Sequence, residues 1–137
     1  VLEAMQMADK KYASQNQSMK ILHALMDEAL TLAGEETPDH EAIRQIGEGW
    51  VAEETLAIAV YCAAKHFDNF EKAIIASVNH GGDSDSTGAV TGNILGAVVG
   101  YDAIPDHFKN DLELHDVILH VADDLWRGYI TRYPLGK

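Results

Sequence analysis

The chain has 137 residues, 47% of them hydrophobic, and a formal charge of −12 from 22 acidic and 10 basic side chains. That length allows one domain with a real core, and the apolar content is too rich for a disordered chain. The acidity argues against a nucleic-acid backbone as partner, because the basic footprint of such binding is missing.

The first residues, VLEAMQMADKK, lack an initiator Met and the basic-then-apolar pattern of a signal peptide. A processed protein or the interior of a longer one is therefore expected. Leu2, Met5, Ala8 and Tyr12 predict a first amphipathic helix. Ser18 precedes MKILHALMDEALTLAG, where Ile21, Leu22, Leu25, Met26, Ala29 and Leu30 recur at helical spacing up to a stop at Gly34. The polar, proline-bearing EETPDH is a loop, and a short helix from about Pro38 to Ile46 ends at Gly47-Glu48-Gly49. Trp50 to Lys65 is apolar almost all round, the pattern of a central buried helix. Within it lies Cys62, the single cysteine, which reads as a core residue. With no second cysteine there is no internal disulfide, in keeping with a reducing cytosol and a cytoplasmic protein. Asp68 with Glu71 makes a capping-box pattern for a helix ending at Asn79-His80-Gly81-Gly82. A glycine-rich helix follows, Ile104-Pro105 starts a new element, and Leu114, Val117, Ile118, Val121 and Leu125 mark a last amphipathic helix. No segment alternates as a strand, no linker divides the chain, and no apolar run approaches the about 18 residues of a membrane span. The expected class is all-α.

The stretch NHGGDSDSTGAVTGNILGAVVG, residues 79–100, is chemically the richest. Asp83 and Asp85 flank Ser84, and Ser86 follows, so several hard oxygens can converge on one point. Such donors suit Mg²⁺, Mn²⁺ or Ca²⁺. Helix capping by Asp85 or Ser86 accounts for one of these residues, not for all of them. An EF-hand matches at Asp83, Asp85, Thr87 and Gly88, but its twelfth position needs a bidentate Glu and holds Ile94. Gly88, Gly92, Gly96 and Gly100 fall on one helix face, each at a cost of about 1 kcal/mol relative to alanine. The expectation is that close backbone packing offsets that cost. A membrane small-xxx-small face is the other reading of the ladder, but Asn93 and the short apolar length favour a water-soluble core.

GGDSDSTGAVTGNILGA resembles the C-terminal metal motif of the ADP-ribosylglycohydrolase family, usually GGDTDT followed by a small-residue helix. GEGWVAEETLAIAVYC, residues 47–62, resembles the family's Gly-x-Gly-Trp-Val-Ala-Glu-Glu segment, and the closing Tyr133-Pro134 also fits. The resemblance covers most of residues 38–134. Ser84 and Ser86 replace the commoner threonines, and Ser86 keeps the hydroxyl needed for coordination. The resemblance implies an all-α, multi-helix hydrolase fold with two divalent cations, Mg²⁺ or Mn²⁺, at a cleft for ADP-ribose. Asp83, Asp85 and Ser86 would be the ligands from this part of the fold. The implied reaction is cleavage of the N- or O-glycosidic bond of an ADP-ribosylated protein or small molecule. The family's upstream Gly-Asp-x-x-Gly, Thr-Asp-Asp-Thr and Gly-Asn-Gly segments do not occur here. Residues 1–137 therefore read as the C-terminal portion of one such domain, whose partner is the missing N-terminal half. A non-catalytic structural or ADP-ribose-binding relative is the alternative.

Elsewhere, His80 reads as a helix-terminal histidine bonded to backbone, and Glu53 and Glu54 as structural carboxylates in a first helical turn. His115, Asp116, His120, Asp123 and Asp124 read as a solvated face rather than a second metal site. Trp50 and Trp126 read as core anchors. Any phosphate ester bound here must draw positive potential from divalent ions or helix N-termini, because cations are few.

Overall fold

A computed structural model describes residues 1–12 and 16–129. Its elements are α1 (Leu2–Lys11), α2 (Asn16–Ala33), α3 (Asp39–Ile46), α4 (Ala52–Lys65), α5 (Phe70–Val78), α6 (Ser84–Val99) and α7 (His115–Arg127), with short 3-10 turns at Tyr101–Ala103 and Asp106–Phe108. No strand occurs among the described residues, so the all-α expectation holds. Tyr133-Pro134 lies outside the described residues. The chain divides into two compact units, Val1–Tyr101 and the segment from Asp102 onward.

The first unit is organised around α4, which packs against α2, α3, α5 and α6. An apolar helix with alanine at Ala57, Ala59 and Ala63 can be approached from every side, and those residues are buried together with Ile58, Val60, Tyr61 and Cys62. Met26, Ala29 and Leu32 of α2, Ala42, Ile43 and Ile46 of α3, and Ala76 of α5 complete the core. Fully buried side chains such as Ile43 and Ile58 contribute about 2 kcal/mol each. α1 adds little, with Met5 its one buried residue.

Several local expectations change. The cap of α5 is Asn69, whose side-chain oxygen accepts from the Lys72 N–H at 2.9 Å, so Asp68–Glu71 is not the capping pair. The central helix starts at Ala52 rather than Trp50, and Trp50 is 67% exposed. Its position before the helix takes it out of the periodicity that buries α4, and its indole N–H bonds Glu48 at 3.1 Å. The glycine ladder is not uniformly packed. A Cβ at Gly88 would meet Val78 Cγ1 at 2.6 Å and one at Gly92 would touch Ile74 Cδ1 at 3.7 Å, whereas Gly96 and Gly100 face open space. Close approach therefore explains Gly88, and Gly100 ends α6 with φ +77°.

In the second unit, α7 inverts its expected polarity. Ile118, Val121, Leu125 and Trp126 are exposed, Trp126 by 89%, so Trp126 is not a core anchor. The His120 and Asp124 side chains, 3.7 Å apart, are the more covered ones at 25% and 12%. Within the set read as a solvated face, His120 and Asp124 are thus partly sheltered and Asp116 stays exposed, while the apolar stripe is open.

Candidate metal centre

The acidic loop joins α5 to α6 and is anchored by backbone before any side chain contributes. The Asp83 N–H donates to the Glu48 carbonyl at 2.8 Å, tying the turn to the segment before α4. Gly82 makes that approach possible: a Cβ there would lie 1.8 Å from the Glu48 oxygen. On the opposing strand of chain, Gly49 adopts φ +80° against Asp83 and Thr87, a conformation that favours glycine. Glu54 supports it from α4, its carboxylate accepting from the Glu48 and Gly49 N–H groups at 3.2 and 3.0 Å. The Thr55 hydroxyl donates to the Gly49 carbonyl at 2.7 Å. Glu54 is therefore structural, as its place in a first helical turn suggests.

Beneath the loop sits Thr87, fully buried. Its hydroxyl donates to the Ser77 carbonyl at 2.7 Å and lies 2.8 Å from His80 Nε2. The Gly82 N–H donates to His80 Nδ1 at 3.2 Å. An acceptor at Nδ1 and a donor at Nε2 describe one neutral tautomer, assigned from these partners. His80 thus holds both limbs of the turn. Thr91, one turn further, donates to the Thr87 carbonyl at 2.8 Å. Thr87 and Thr91 are supports that no sequence expectation singles out. Their spacing of four on the buried face of α6 was the available signal.

Asp83 and Asp85 remain on the surface side of this scaffold, Asp83 half-buried at the helix cap and Asp85 exposed in the first turn, with Ser86 half-buried next to it. Asp83 makes no side-chain capping bond of ordinary length, so its carboxylate is not spent on the helix. The Asp83 carboxyl is held below the usual carboxylate range, first by its side-chain hydrogen bond with Asp85, then by the Ser86 hydroxyl, with smaller help from the Ser86 N–H. Neither carboxylate has an ion-pair partner within 4 Å among the described residues. An ionised carboxylate, a second one beside it and a hydroxyl form an all-oxygen donor set, which fits Mg²⁺ or Mn²⁺. The set is incomplete, since six-coordinate ions need more than it offers. Among the described residues, no group of three or more His, Cys, Asp or Glu side chains gathers to hold a metal, here or around His115–Asp124.

The family model for ADP-ribosylglycohydrolase matches residues 1–135. This chain belongs to the ADP-ribosylglycohydrolase family. The match takes in α1 and α2 as well as the segments from residue 38 on that carry the motifs. Among its relatives, ADP-ribosylhydrolase ARH3 of Homo sapiens is 26% identical over 133 residues, covering 90% of the chain and 34% of that protein. ADP-ribosylarginine hydrolase Tri1 of Serratia proteamaculans (strain 568) is 38% identical over 73 residues, covering 53% of the chain and 20% of that protein. ADP-ribosyl-[dinitrogen reductase] glycohydrolase of Rhodospirillum rubrum is 43% identical over 47 residues, covering 34% of the chain and 16% of that protein. The chain spans about a third or less of the length of these relatives. No solved structure gives a significant match.

Proposed function

We propose that this chain is the C-terminal, metal-ligand-bearing portion of a hydrolase that releases ADP-ribose from ADP-ribosylated proteins or small molecules by cleaving an N- or O-glycosidic bond. The observation that carries the reading is the pinned, outward-facing Asp83–Asp85–Ser86 set at the start of α6, in a chain of this family. Asp83, Asp85 and Ser86 would hold divalent cations, two of them Mg²⁺ or Mn²⁺ in the complete site. When bound, such ions supply Lewis acidity and an activated water. This chain's own contribution is positioning. Gly82, His80 and Thr87 keep the loop at a fixed distance from the 47–49 segment, and misplacement of ligands by about 1 Å can cost on the order of a hundredfold in rate. Trp50, exposed and steered by Glu48, is available to stack on a planar group of the ligand. The remaining ligands come from the rest of the family fold, which is the chain's principal partner. A cytoplasmic setting fits the free, buried Cys62. No helix among the described residues is long and apolar enough to cross a membrane.

The test compares ADP-ribose release by the 137-residue chain, by a protein of full family length containing it, and by Asp85→Ala in that longer protein, with Mg²⁺, Mn²⁺ or EDTA. Turnover confined to the longer protein, lost in EDTA and reduced at least about a hundredfold by Asp85→Ala, is expected. Equal metal-dependent turnover by the short chain would overturn the partial-site reading. An inactive longer protein that still binds metal would favour a non-catalytic ADP-ribose-binding relative, because two carboxylates and a hydroxyl can bind without catalysing.

A further inference from the structure

The cations of this chain are few, and most near its core are already committed. Lys65 of α4 is bonded to the Thr37 carbonyl and to the Tyr61 hydroxyl. Arg44 is different. It is exposed on α3 and forms no hydrogen bond or ion pair among the described residues. It lines a cavity of about 550 Å³ whose wall runs along the turn 79–82 and stops where the acidic loop begins. That volume is within the range of small-molecule sites.

Three features give the cavity one chemistry. His40 stands one helical turn before Arg44 on the same wall, its ring only loosely associated with Glu41 at 3.8 Å. Across from them, His80 and Gly81 also line the cavity, and their backbone N–H groups find no acceptor among the described residues. Ile43 and Val78 supply an apolar contribution to the wall. The one carboxylate on the wall, Glu48, is engaged by the Trp50 indole N–H. A guanidinium, an imidazole and unpaired backbone donors around one concavity are acceptors' partners. Arg in particular matches the paired oxygens of phosphate and carboxylate.

We propose that this cavity is an oxyanion subsite, taking a phosphate or carboxylate group without a metal ion, with Arg44 as its principal donor. It adjoins the acidic loop through His80, whose Nδ1 accepts from Gly82, so an occupant would sit next to the residues that orient Asp83. The two sources of such a group are a nucleotide phosphate and a carboxylate of a modified protein. The subsite does not depend on whether the loop hydrolyses anything.

The experiment is an NMR titration of the 137-residue chain with inorganic phosphate in EDTA at constant ionic strength, following backbone amides and histidine rings. Saturable shifts at residues 79–82 and at His40 are expected. Arg44→Met should weaken binding by about tenfold or more, the loss of one charge-assisted hydrogen bond, and Arg44→Lys by less. Arg44 is exposed and unpartnered, so neither variant should disturb folding, which the amide spectrum reports directly. Competition by AMP but not acetate assigns the site to a nucleotide phosphate, and competition by acetate assigns it to a carboxylate. Shifts unchanged in Arg44→Met, or spread evenly over the lysines, would overturn the subsite. Because EDTA is present and no turnover is read, failure here leaves the hydrolase reading to its own test.

Discussion

Asp39 and Asp83 are both half-buried carboxylates at helix starts, each near a histidine, and each held below the usual carboxylate range. Their surroundings differ in sign. Asp39 accepts from the Tyr61 hydroxyl at 2.8 Å and from His66 Nε2 at 3.0 Å, with Lys65 at 3.5 Å. Burial alone would raise Asp39, but the Tyr61 and His66 hydrogen bonds and the charges of His66 and Lys65 outweigh it. The same network, on top of burial, raises the Tyr61 hydroxyl, and burial foremost pushes the Cys62 thiol up to about 12. Asp83, by contrast, has another carboxylate and a serine as its main neighbours. A carboxylate satisfied from within the chain closes a structure, whereas one beside a second carboxylate leaves oxygen donors that a cation could use. Fold stability should therefore depend on Asp39 and metal response on Asp83.

The sharpest way to break this contrast is to loosen the scaffold under the loop. Gly82→Ala forces a Cβ onto the Glu48 carbonyl and should cost about 3 kcal/mol, lowering the melting temperature by roughly 10 °C. Circular dichroism measures it, and an unchanged midpoint would mean that the loop is not pinned to residues 47–49. Next comes the glycine helix, where Gly88→Leu should cost about 2 kcal/mol against Val78. Gly96→Leu should be neutral or gain up to about 1 kcal/mol from helix propensity. Equal effects at both sites would refute the selective packing of α6 on α5.

Asp39→Asn should cost about 1 kcal/mol near neutral pH, a figure reduced for the solvent screening of a partly exposed group. The sign follows from its lowered value. Asp39 contributes stability above the ordinary 3.8 and loses it as pH falls through the lower folded-state value. Chemical denaturation across that acid range should show a flatter pH dependence in the variant, and parallel curves would remove Asp39 from the network. The smallest effect on folding is expected from Asp83→Asn with Asp85→Asn. In EDTA the melting temperature should change little, since both carboxylates lie on the solvent side of the loop, and a rise with Mg²⁺ or Mn²⁺, expected for the unsubstituted chain, should vanish. A retained metal response would place the cation elsewhere.

Much of the fold was legible because helices announce themselves locally. The spacing in α2, the continuous apolar run of α4 and the stops at Gly34 and Gly47 needed no tertiary knowledge. Asn69 displaced Asp68 as a cap because neighbouring residues compete for one position, and geometry chooses between them. Trp50, Trp126 and the α7 stripe depart from expectation for a common reason. Hydrophobicity says that a side chain gains from burial, not that a partner surface stands opposite it.

Sequence alone determined which atoms could do chemistry. Two aspartates and two serines within four residues, in a family-specific context, are a hard-oxygen donor set wherever the chain folds. Tertiary structure decided their posture: Gly82 lets the turn touch Glu48, Glu54 holds the facing backbone, and His80 and Thr87 lock the two limbs together. It also brought Arg44 of α3 to the same cavity as a turn some forty residues away. Donor identity is a property of single residues and can be read in order. Convergence depends on backbone contacts between segments distant in the chain, and those exist only once the helices have packed.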